Sequence, residues 1–167
     1  MLSENNRHLY EKFFQYNAEY YIDQIESFEK RKRYSFSIAA FFLGFIWMAY
    51  RKMYFYIIVA LSALLLLNGI LQLLLGFQVI TAESFDAFFI IVRFLFMITL
   101  GAISNRIYIN KGHRYIKKAH EKKDNFKVDK FLKNTGGTSW ILAITMLAFL
   151  FFIVVLASLT SPEVINY

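Results

Sequence analysis

Met53-Tyr54-Phe55-Tyr56-Ile57-Ile58-Val59-Ala60-Leu61-Ser62-Ala63-Leu64-Leu65-Leu66-Leu67-Asn68-Gly69-Ile70-Leu71-Gln72-Leu73-Leu74-Leu75-Gly76 carries no charge and is nearly all leucine at its centre. As a helix rising 1.5 Å per residue it spans a hydrocarbon core of roughly 30 Å. Two further runs, Phe85 to Ser104 and Trp140 to Leu159, have the same character. All the Lys and Arg residues except Arg93 fall outside these runs, in one segment ending at Lys52 and another from Arg106 to Lys133. The connection Phe77 to Ser84 has only Glu83 as a charge, and the tail Thr160 to Tyr167 only Glu163. Loops rich in Lys and Arg stay on the cytoplasmic side. The expectation is an all-α integral membrane protein of three transmembrane helices, with the N-terminus and the basic loop inside and Glu83 and the tail outside.

Composition agrees. Hydrophobic residues make up 57% and aromatics 19%, against about half apolar for a soluble domain. The net charge of +7 sits beside the spans, where anionic headgroups attract each basic residue by about 1 kcal/mol. No recognition motif accompanies it, so a nucleic-acid partner is not expected. The absence of Cys removes disulfides and thiolate chemistry. The N-terminal residues are mixed in charge, unlike a cleavable signal, and the single Pro, Pro162, leaves the spans free of proline kinks.

Outside the spans, Tyr10, Phe13, Phe14, Asn17, Tyr20, Tyr21, Ile25 and Phe28 recur at spacings of three and four. That spacing predicts one amphipathic helix from about Arg7 to Lys32, closed by the cluster Lys30 to Arg33. Its other face is acidic, which favours packing on the chain's own basic loop or a partner over lying on headgroups. Ser35 to Tyr50 is uncharged but about 24 Å long as a helix, and crossing would put basic clusters on opposite sides. A re-entrant or interfacial helix is expected there, with Trp47, Tyr50 and, further on, Trp140 as interface anchors. The second span should continue as a basic cytoplasmic helix carrying Tyr108, Tyr115, Ala119 and Phe126, ended by Asn134-Thr135-Gly136-Gly137. Thr138 or Ser139 should cap the third span. The organisation is therefore 1–34, 35–52, 53–105, 106–137 and 138–167.

The run from Phe36 through Trp47-Met48-Ala49-Tyr50-Arg51-Lys52-Met53 to Tyr54, followed by a leucine-rich helix, resembles the bacterial domain-of-unknown-function family 2628. Gly101-Ala102-Ile103-Ser104-Asn105-Arg106-Ile107-Tyr108 is similar to the Gly-x-x-x-Asn-x-x-Tyr element closing that family's next span. The resemblance runs from about Asn17 to Tyr115. It implies a small bacterial integral membrane protein with no assigned activity, and supplies no catalytic residues.

Arg93 is the chief candidate within a span. It lies eight residues from Phe85 and eleven from Ser104, where an unpaired guanidinium costs from ~2.5 to over 10 kcal/mol. Asn68 and Gln72 share a face of the first span at a similar depth, and Asp86 lies two turns before Arg93. These four form an expected intramembrane polar cluster, either a structural clamp or an anion site. A second candidate is an anionic-lipid surface of Arg106, Lys111, Arg114, Lys117, Lys118, Lys122 and Lys123. His113 and His120 stand about 10.5 Å apart along one helix face, too far to share an ion without a third element, so neither metal nor cofactor is expected. The favoured function is a non-catalytic accessory or interaction subunit with a membrane-protein partner or a second copy. An oligomeric transport component around Arg93, Asn68 and Gln72 is the alternative, and a lipid-modifying enzyme a third class.

Overall fold

The computed structural model describes residues 4–29, 35–122 and 124–160. Among them the regular structure is helical throughout. The order is α1 (Glu4–Phe14), α2 (Ala18–Glu29), α3 (Ile38–Leu43), α4 (Phe45–Tyr50), α5 (Tyr54–Gly76), α6 (Ala82–His120), α7 (Asn125–Thr135) and α8 (Trp140–Thr160). Three stretches, in α5, α6 and α8, are long and apolar enough to cross a membrane. Only 17%, 17% and 6% of their apolar windows are buried. Such helices are apolar around their whole circumference, as hydrocarbon surroundings require.

The core lies instead at the end where α5, α6 and α8 meet the shorter helices. Tyr108 of α6 is its hub. It is fully buried, with Phe13, Phe14, Tyr21 and Trp47 at ring-centroid distances of 6.0, 5.3, 5.0 and 6.2 Å. Ile22, Met48, Met53, Ile109 and Leu132 complete it. Much of this cap is thus aromatic, and offset or edge-on aromatic pairs add about 0.5–1.5 kcal/mol each beyond their buried area.

The N-terminal stripe does pack on the chain's own basic segment, but it does so as two helices. Gln15 and Asn17 adopt φ of 55° and 60°, a left-handed conformation that Asn tolerates better than most residues. The break folds α2 back on α1, so that Phe13 and Phe14 from one and Tyr21, Ile22 and Ile25 from the other reach a single core. A straight helix could not bring both sets to Tyr108. Tyr20 and Phe28, at the edges of the stripe, stay largely exposed. The cluster Lys30 to Arg33 lies outside the described residues.

Ser35 to Tyr50 also divides. Ser37 caps α3 by accepting from Ala40 N–H, and its own N–H donates to Gly101 O at 2.8 Å, pinning α3 to α6. Gly44, at φ +46°, then separates α3 from α4. At six residues each, both extend about 9 Å and fall far short of a hydrocarbon core.

The basic helix beyond the second span is likewise interrupted. α6 runs unbroken for 39 residues to His120, and α7 starts afresh where Asp124 accepts from Phe126 N–H at 2.9 Å. An N-cap of this kind competes with helix continuation. The reversal buries Val128 and Leu132 against the cap and leaves Phe126, expected in the stripe, exposed. After Gly137 (φ +68°) the chain is tied by Ser139 N–H to Tyr50 O at 2.8 Å, and Ser139 Oγ caps α8. α8 therefore docks on α4.

Candidate functional site: a cationic centre beneath the cap

The turn Arg51-Lys52 ends α4 and sends two cations in different directions, because Lys52 takes a left-handed φ of 55°. Arg51 turns inward and is only 3% exposed. Its guanidinium carbon lies 5.0, 5.5 and 5.1 Å from the ring centroids of Tyr21, Tyr50 and Tyr108. Such contacts contribute about 2 kcal/mol when desolvated. Nη1 donates to Tyr16 O at 3.2 Å, while Nε has no hydrogen-bond partner among the described residues. Burial raises the Tyr21 phenol above its usual range, and the Arg51 charge opposes that rise.

Lys111 of α6 is the second buried cation. It was expected on the lipid-facing surface and is instead 6% exposed. Its ammonium donates to Arg51 O at 3.2 Å and Lys52 O at 2.9 Å. A cation at the C-terminal carbonyls of α4 satisfies acceptors the helix leaves open and suits its dipole. Gly112 beside it lets α1 approach closely: a Cβ there would stand 3.1 Å from the Phe14 ring.

Lys52 turns outward and donates to Asn134 O at 3.3 Å, with burial lowering its ammonium pKa. With Lys111, Arg114 and Lys118 it lines a cleft of about 340 Å³, walled by Tyr54, Tyr56 and Tyr115. Arg114 donates to the Tyr56 hydroxyl across this cleft. Among the described residues four cations line it and no carboxylate does, a charge balance suited to an anionic group.

The remaining surface residues, Arg106, Arg114, Lys117, Lys118 and Lys122, are exposed, and Lys123 lies outside the described residues. Trp47, expected as an interface anchor, is 5% exposed and belongs to the core, where its ring meets Tyr108 edge-on. Trp140 is 70% exposed and packs edge-on against Tyr50 at 4.9 Å. The intramembrane cluster is not joined by hydrogen bonds or ion pairs among the described residues. Arg93 is exposed, with its guanidinium 4.2 Å from the Phe89 ring centroid one turn earlier. Asn68 Oδ1 is buried without a partner among the described residues, and Gln72 and Asp86 are exposed. Nor do the histidines approach one another: His113 bonds the Tyr10 hydroxyl, and His120 Nδ1 lies 2.9 Å from Ile116 O.

Sequence reasoning by residue type missed Arg51, Asn105 and Tyr108. All three lie in the two stretches that carry the family resemblance, and the fold brings those stretches together. Trp47 and Arg51 from the first surround Tyr108 from the second, and Gly101 accepts the Phe36 ring where any Cβ would collide with it. A family model described as Protein of unknown function (DUF2628) matches residues 5–114. The chain belongs to this family. The DUF2628 match takes in α1 to α5 and most of α6, and hence Arg51, Lys52, Lys111 and Arg114; α7 and α8 lie beyond it. Comparison with curated proteins and with solved structures finds no match.

Proposed function

We propose that this DUF2628 member is an integral protein of the bacterial cytoplasmic membrane acting as a non-catalytic accessory or interaction subunit. Its three long helices anchor it, and its basic cap lies on the cytoplasmic side against anionic headgroups. One observation carries the reading: the apolar windows of the spans are scarcely buried, while the shorter helices and the end of α6 fold into a dense cap. A self-sufficient helical bundle would bury span against span, whereas here α8 is held through α4. Exposed span faces and an unneutralised basic cleft suit a membrane-protein partner or a second copy more than a chemical step. The orientation follows from the charges, with α1, α2, α7 and the end of α6 inside and Glu83 outside.

Single cysteines at Ser84 and Asn125 test the orientation in intact cells with an impermeant thiol reagent. Ser84→Cys should label and Asn125→Cys should label only after lysis; the reverse pattern overturns the topology. Purification from native membranes in mild detergent, with mass spectrometry of the intact assembly, tests the function. A stoichiometric protein partner or a defined oligomer is expected, and a lone monomer would count against it. A second reading, an oligomeric transport component, draws support from the buried Asn68 Oδ1, which has no partner among the described residues. It requires that Arg93→Leu abolish an ion or solute flux in proteoliposomes without loss of assembly.

A further inference from the structure

A second cavity, of about 650 Å³, lies on the other side of the Arg51-Lys52 turn, between α2, the α3–α4 pair, α6 and the start of α8. Its size falls within the roughly 300–1,000 Å³ of small-molecule sites. Among the described residues, Arg51 is the one charged side chain lining it. Polar groups gather at the same end: Asn105, itself 1% exposed, donates to the Tyr20 hydroxyl at 2.8 Å and to Ser35 O at 3.0 Å. Much of the remaining wall is apolar, and Ile38, Leu43 and Trp140 on it are exposed. The cavity is therefore amphiphilic, with a buried cation at one end and an open hydrocarbon wall at the start of a span.

We propose that this cavity binds one acidic phospholipid, its anionic headgroup at Arg51 and its acyl chains leaving past Ile38, Leu43 and Trp140 into the bilayer. Three features of the site select this ligand. A buried guanidinium with no carboxylate partner among the described residues carries a charge whose desolvation is costly. The Nε donor, which has no acceptor among the described residues, is available to a charge-assisted hydrogen bond. Among the described residues the lining holds one positive charge, which a headgroup of one net negative charge balances and a zwitterionic one does not. The site is distinct from the Lys52–Lys111 cleft. It rests on the reading that the long helices lie in a bilayer, but not on any protein partner.

The chain has two tryptophans, Trp47 and Trp140, and both line this cavity. The full-length Trp140→Phe protein in nanodiscs leaves Trp47 as the sole emitter, shielded from bulk lipid by its burial. Phosphatidylglycerol brominated near the headgroup end of its acyl chains, titrated into a phosphatidylcholine background, should quench Trp47 saturably. Brominated phosphatidylcholine at equal mole fraction should not. Arg51→Gln should raise the half-saturating mole fraction about tenfold or more, as loss of a charge-assisted hydrogen bond predicts. Ala39→Phe fills the cavity while keeping the charge, and should also abolish quenching; it carries the test if Arg51→Gln fails to fold. Equal quenching by both lipids, or indifference to Ala39→Phe, overturns the proposal. Displacement by inorganic phosphate alone overturns it in favour of a soluble phosphorylated ligand. The readout is independent of oligomeric state, so its failure is distinguishable from failure of the accessory-subunit reading.

Discussion

Replacing Gly136 with alanine should strongly destabilise the cap, whereas the same change at Gly69 should be harmless. A Cβ on Gly136 would stand 2.1 Å from the carbonyl oxygen of Phe13 and 2.7 Å from its ring. Neither neighbour can give way cheaply. The same oxygen accepts from Gly137 N–H at 2.6 Å, and the Phe13 ring is fully buried against Phe14, Tyr108 and Tyr115. Overpacking of this kind costs typically about 1–3 kcal/mol, and losing the displaced hydrogen bond adds about 1 kcal/mol. The expected loss is about 2–4 kcal/mol, a large part of the ~5–15 kcal/mol that keeps a typical domain folded. At Gly69, inside α5, a Cβ meets nothing within 4 Å, and relief of glycine's backbone entropy should stabilise by about 0.5–1 kcal/mol. Denaturant unfolding of the full chain in detergent, followed by tryptophan emission, measures both. Trp47 reports on the same core as Phe13. If Gly136→Ala unfolds within about 0.5 kcal/mol of the unmodified chain, α1 does not clasp the α7–α8 linker and the cap is assembled differently.

Lys111→Met keeps the length of the side chain but strips one buried and one half-buried carbonyl of their charged donor, and should cost about 1.5–3 kcal/mol in the same unfolding experiment. Lys12 and Asp129 pair at 2.6 Å across α1 and α7 but are partly exposed; a double-alanine cycle should give a coupling of only about 0.2–1 kcal/mol, shrinking as salt is added. Arg93→Leu and Asn68→Leu should have additive effects on thermal stability, since the two side chains share no hydrogen bond and Asn68 Oδ1 has no partner among the described residues. A coupling above about 1 kcal/mol would mean that they meet after all.

The apolar windows of α5, α6 and α8 were legible because hydrocarbon length is a property of composition alone. A run of some twenty uncharged residues can satisfy its backbone polar groups in lipid only as a helix, whatever the rest of the chain does. The aromatic stripe from Tyr10 to Ile25 was legible for a related reason, since a period near 3.6 survives in any amphipathic helix. Even the partner of that stripe was suggested by charge, because an acidic face suits a basic segment better than headgroups do.

Tertiary structure decided where those helices stop and what their charges do. The breaks at Gln15 to Asn17 and at Glu121 to Asp124 carry no proline or glycine, and they exist because only a reversal lets both halves reach Tyr108 or bury Leu132. Burial reassigned two residues whose type pointed elsewhere. Trp47 and Lys111 have interfacial and surface chemistry, yet one fills the aromatic core and the other caps α4. Arg51 reads in sequence as one more cation in a basic segment, and becomes a distinctive one through the three tyrosine rings around it. Two of those rings, Tyr21 and Tyr108, come from helices far away in the chain. Hydropathy and period are sums over neighbours in sequence, so they specify spans and faces. The environment of a single charge is a sum over neighbours in space, which only the assembled cap supplies.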